Sequence, residues 1–204
     1  MKNFAMFAAL AAAGLFAGFA DRSYAVDQGQ VQATINATFK GAPEDWRKRI
    51  EPDETQLVCS KKASDVTEAE LKKVQAIEAA NVVLPADGQF LGDWKNGEAL
   101  AQRGTGGQFS DKPDTPKGGN CYACHQLAAK EVSYGTLGPS LLAYGKARKF
   151  TPEATKAAYI KIYNAQAVQP CSNMPRFGHN KFLTEAEMKD LTAYLMDPAS
   201  PVNK

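Results

Sequence analysis

The sequence predicts an all-α protein. Two Thr-x-x-Glu capping boxes, Thr67-Glu68-Ala69-Glu70 and Thr184-Glu185-Ala186-Glu187, each open a run of apolar residues at helical spacing. Pro152 follows Thr151 at the first-turn position that proline favours. Strand-like alternation of apolar and polar residues is missing, and no internal repeat is present.

Taken in order, the N-terminus reads as a secretory leader. Lys2 precedes an uncharged stretch from Phe4 to Ala20, rich in Ala, Phe and Gly, and Ser23-Tyr24-Ala25 supplies a small-residue cleavage pattern. The apolar run is shorter than the ~20 residues that span a bilayer, so cleavage after about Ala25 is expected rather than anchoring. No later segment approaches a membrane span, and the mature chain is expected outside the cytoplasm, where disulfides persist.

Residues 26 to about 64 are polar and interrupted by Pro43 and Pro52, which predicts loops and one short helix. Thr67 then caps a helix at about 68–80, with Leu71, Val74 and Ile77 at helical spacing, and Pro85 and Gly88 close it. Residues 26–88 therefore form a partly helical N-terminal extension, and 89–204 a second domain. There a short helix runs from Asp93 to Ala101, anchored by Trp94 and Leu100. A loop holding Gly104, Gly106, Gly107, Gly118 and Gly119 leads into Cys121. A helix at 152–164 buries Tyr159, Ile162 and Tyr163. The last helix follows Thr184, aligns Met188, Leu191 and Leu195 on one face, and stops at Pro198.

Composition narrows the function classes. The 204 residues allow one or two small domains, and 44% hydrophobic residues are too many for a disordered chain. A net charge of +2 without a basic block gives no ground for nucleic-acid binding. Four cysteines are too few for a disulfide scaffold. No nucleophile-plus-base constellation stands out, so no catalytic residue is assigned.

Cys121-Tyr122-Ala123-Cys124-His125 is C-x-x-C-H, the attachment pattern for c-type haem. Two thiols add to the two porphyrin vinyl groups, and two intervening residues bridge the gap between those vinyls. The next residue lies under the macrocycle, where an imidazole reaches the iron. Cys121 and Cys124 are thus the thioether residues, and His125 an axial ligand of one haem c per chain. A zinc site would need further ligands at paired spacing, and a redox dithiol a βαβ setting; both are missing.

For the sixth ligand the sequence offers Met174, Met188, Met196 and His179. Met188 lies on the apolar face of the last helix, where packing is its expected role. Met174 lies in the loop Pro170-Cys171-Ser172-Asn173-Met174-Pro175, stiffened by Pro175, and is the favoured ligand. A ligating histidine donates its other ring N–H to a fixed acceptor, and the carbonyl of Pro139, in Leu137-Gly138-Pro139-Ser140, is the expected partner. Cys59 and Cys171 remain. They pair either with each other, tying the extension to the methionine loop, or one of them with a partner chain; the internal bridge is preferred.

Asn120-Cys-Tyr-Ala-Cys-His125 and Gly-Thr-Leu-Gly-Pro-Ser-Leu at 135–141, with Asn173-Met-Pro-Arg-Phe-Gly178 and the tail Asp197-Pro-Ala-Ser-Pro-Val-Asn203, resemble SoxX over about residues 89–203. SoxX is the monohaem subunit of the SoxAX cytochrome of sulfur-oxidising bacteria. The resemblance implies a class I cytochrome c-like haem domain in the periplasm, with His125 and Met174 as the axial pair. It implies a complex with a SoxA-type subunit that oxidatively couples thiosulfate to a cysteine of the SoxYZ carrier protein. The bond-forming site then belongs to the SoxA-type partner, and this chain relays electrons to a downstream cytochrome. That coupling releases two electrons while one haem accepts one at a time, which suits a subunit better than a self-sufficient enzyme. The alternative is a stand-alone soluble periplasmic carrier, to which a charged and transient docking face would belong.

Overall fold

A computed structural model describes residues 27–108 and 110–204 of the chain. The predicted leader falls outside them. All regular structure among the described residues is helical, as the sequence predicts. Among the described residues, 27–42 and Pro43–Lys204 belong to two units. In the first, α1 (Gln28–Thr38) is capped by Asp27, whose side chain accepts from Gly29 N and Gln30 N.

In the second, α2 (Glu44–Ile50) and α3 (Glu54–Cys59) precede α4 (Glu68–Ala80) and α5 (Trp94–Gln102). The short α6 (Tyr144–Ala147), α7 (Pro152–Tyr163) and α8 (Glu185–Met196) complete it. With α1, the stretch that the sequence assigns to loops and one short helix thus holds three helices, a correction with a local cause. Asp53 and Gln56 form a reciprocal capping box on α3, which starts a helix too short to show apolar periodicity.

The core is built where α5, α7 and α8 meet. Leu100, Ala101, Ala158, Tyr159, Ile162, Met188, Leu191, Tyr194 and Leu195 are all buried there. The α5–α8 crossing is close enough to require glycine, since a β-carbon on Gly97 would lie 2.1 Å from the carbonyl oxygen of Asp190. Asp190 also accepts the backbone N–H of Asp93, the cap of α5, at 2.7 Å.

The tail closes the helical frame. Asn203 accepts from the backbone N–H groups of Gly145 and Lys146 at 2.9 and 3.1 Å, and donates to the carbonyls of Leu195 and Asp197. One side chain thereby satisfies the start of α6 and the end of α8. Among the described residues, no helix is long and apolar enough to cross a membrane.

Candidate haem-binding site

The C-x-x-C-H segment is a single 3-10 turn, Cys121–Ala123, in which the backbone N–H of His125 bonds the carbonyl of Cys121 at 2.8 Å. Asn120 enters it with φ 46°, a left-handed value that asparagine tolerates better than most residues. The turn is hung from the end of α5: Gly119 N–H donates to Leu100 O at 2.9 Å, and Asn120 N–H to Arg103 O at 3.1 Å.

Residues 135–141 are zipped to the other side of the turn. Gly135 N–H donates to Tyr122 O, Gly138 N–H to Cys124 O and Leu141 N–H to Gln126 O, at 2.8, 2.8 and 2.7 Å. The zipper carries the Pro139 carbonyl to 2.7 Å from Nδ1 of His125. Donation from Nδ1–H fixes the tautomer and leaves Nε2 as the free lone pair.

Cys121 and Cys124 are the two cysteines outside the Cys59–Cys171 disulfide. Among the described residues, no three His, Cys, Asp or Glu side chains gather as a metal site.

The other candidates separate in space. Met188 and Met196 are buried in the core, 3% and 2% exposed, where their thioethers serve packing. Met174 is half-buried against the core on the loop between α7 and α8. His179 Nδ1 lies 3.9 Å from Oε2 of Glu78. Cys59 and Cys171 are disulfide-bonded to each other, with their Cα atoms 5.2 Å apart.

A cavity of about 320 Å³ separates the approach to the attachment turn, Gly104–Gly106 and Gly118–Asn120, from the loop that carries Pro175, Phe177 and Phe182. Nearby, Gly107 has φ 83°, which favours glycine, and a β-carbon there would lie 2.3 Å from the Phe182 ring. Two cysteines outside the disulfide, two residues apart, and an adjacent imidazole with Nδ1 anchored fit a covalently held haem.

Sequence reasoning passed over buried polar groups: Arg176, which lines the cavity, its partner Glu78 with Asn164, and Tyr194, whose hydroxyl meets that of Tyr122. For Glu78 a signal was present, since an acidic residue falls one turn beyond Val74, on the helix face that α4 buries.

Residues 94–197 match the family model for cytochrome c. An uncharacterised lipoprotein of Aquifex aeolicus (strain VF5) is 35% identical over 213 residues, and the match covers 100% of this chain and 100% of that protein.

Proposed function

This chain belongs to the cytochrome c family, and from that premise we propose that it is the monohaem, electron-accepting subunit of a SoxAX-type complex that oxidatively couples thiosulfate to a cysteine of a SoxYZ carrier protein. Family membership brings covalently attached haem c and a role in electron transfer. Once attached, haem c supplies a one-electron couple whose potential rises with thioether ligation. In this reading Cys121 and Cys124 hold the group, His125 and Met174 face the iron, and Pro139 orients the imidazole.

The segment that follows the motif carries the subunit reading. It is bonded to the attachment turn through Gly135 and Gly138, yet its side chains Val132 and Leu137 are 100% and 90% exposed, with Tyr134 beside them. Apolar side chains exposed next to a redox site suit a lasting partner better than a transient charged encounter. The SoxX-like segments at 135–141, 173–178 and 197–203 agree with that. The partner is then a SoxA-type subunit holding the bond-forming site, and a downstream cytochrome takes the electrons.

Export to the periplasm fits the leader ending at Ala25 and the relative's description as a lipoprotein. The deciding experiment is gel filtration of the protein from its native host, with haem staining of each fraction. Co-elution with a second haem-stained chain supports the complex. Elution alone at its own mass gives the solitary carrier instead.

A further inference from the structure

We infer that the segment from Asp53 to Glu78 is a clamp on the methionine loop, in which Asp53 and Glu78 act through Arg176 as positioning residues for Met174. The inference rests on Met174 as an axial ligand.

Arg176 stands two residues beyond Met174 and is 6% exposed. Its guanidinium forks: one nitrogen donates to Asp53 Oδ2 at 2.6 Å, the other to Glu78 Oε1 at 2.7 Å. Glu78 is 1% exposed, and its second oxygen accepts from Asn164 Nδ2 at 2.5 Å. Asn164 is the residue that ends α7, so the carboxylate joins α4, the methionine loop and α7. Burial raises Asp53 toward its neutral form, but the Gln56 N–H and Arg176 outweigh it and hold the carboxyl below its ordinary value. Asp53 is therefore ionised opposite the guanidinium. On the other side of Met174, Cys171 is bonded to Cys59 on α3.

Met174 is thus bracketed, with an anchor three residues before it and another two residues after it, both reaching the same N-terminal segment. Only Pro175 separates Met174 from Arg176, and its ring fixes φ. The proline removes one soft dihedral between the two backbones, so a shift of the Arg176 backbone is passed on to Met174. Stability alone does not call for such a group, because apolar residues of similar volume stabilise a core as well as a buried ion pair. The forked geometry fixes a position, and a lysine ammonium lacks the planar pair of nitrogens that holds the two carboxylates apart.

The test uses the haem-loaded protein. Imidazole displaces the methionine from the ferric centre, and the loss of the sulfur-to-iron absorption band gives the rate. With Glu78→Gln, which keeps the volume and loses the charge, the rate is expected to rise about tenfold, as suits loss of a charged hydrogen bond. Asp53→Asn keeps an oxygen to cap α3, so it folds even if Glu78→Gln does not, and a smaller rise is expected. Wild-type rates in a folded variant overturn the clamp, however far its melting temperature falls. Met174→Ala separates the two claims. If the band survives that change, the ligand assignment fails. If the band is lost there while Asp53→Asn exchanges at the wild-type rate, the clamp fails and the ligand assignment stands.

Discussion

Gly138 lies flat against the imidazole of His125. A β-carbon on Gly138 would sit 2.1 Å from Cε1, 2.4 Å from Nδ1 and 2.7 Å from Nε2 of that ring. The need for glycine here comes from contact, since Gly138 is not among the glycines with positive φ. The missing side chain lets the following carbonyl, that of Pro139, reach Nδ1.

Gly138→Ala is therefore expected to push the ring off its acceptor. Forcing a methyl into that contact costs about 1–3 kcal/mol in stability. The haem absorption spectrum should change as well, because the imidazole loses its orientation. Pro139→Ala keeps the carbonyl and should leave the spectrum near wild type. Equal spectra for all three proteins would remove the orienting role of this stretch.

Met174→Ala opens the proposed sixth position. The sulfur-to-iron band should vanish and the reduction potential fall, since thioether ligation favours the reduced iron. Persistence of both would transfer the ligand role to another residue, and His179 would be the first to examine.

How far the sequence reveals these features depends on their range. The helices α4, α5, α7 and α8 announce themselves through local signals: the boxes at Thr67 and Thr184, Asp93 before Trp94, and Pro152 after Thr151. The all-α class and the attachment motif follow from the same kind of signal. What stays hidden is long-range or strained. The α6 helix is entered through Ala143 at φ 53°, a conformation that alanine does not advertise. The partners Glu78 and Arg176 are separated by 98 positions, so no window joins them. Arg176 reads by itself as an ordinary surface charge, and the place of Glu78 on the buried face of α4 does not name its partner.

The Cys59–Cys171 bridge closes a loop of 112 residues, which makes it a strong restraint on the unfolded chain. The double change Cys59→Ser, Cys171→Ser is expected to lower stability by about 2–4 kcal/mol. Denaturant unfolding of the purified proteins measures this. Haem staining should be unchanged, because Cys121 and Cys124 remain. Loss of the stain would mean that the bridge is needed for haem attachment.

Acid should loosen the N-terminal side of the clamp. Glu70 closes the capping box of α4 and pairs with Lys61 at 2.5 Å. The Lys61 bond, then the Thr67 bonds, lower its carboxyl from 4.5 to about 2. The folded value lies below the unfolded one, so the stabilisation is full above pH 4.5 and is lost as pH falls towards 2. Glu70→Gln preserves the box but not the charge. The gap in melting temperature between wild type and variant should be small, because the group is exposed, and should close over that acid range. Parallel curves would show that the charge contributes nothing.

Tyr122 and Tyr194 meet hydroxyl to hydroxyl at 2.5 Å, joining the attachment turn to α8. Tyr194 is fully buried, and burial pushes its hydroxyl well above the ordinary tyrosine value, so it stays protonated and needs a partner. Tyr122→Phe removes that partner and is expected to cost about 1–3 kcal/mol. Tyr194→Phe should cost less, since Tyr122 is only half-buried and its hydroxyl is left closer to water. In the double variant both polar groups are gone and neither is stranded. Its loss should therefore fall below the sum of the single losses. Urea unfolding of the four proteins gives the coupling; strictly additive values would mean that the hydroxyls do not depend on each other and that the turn is held to α8 by packing alone.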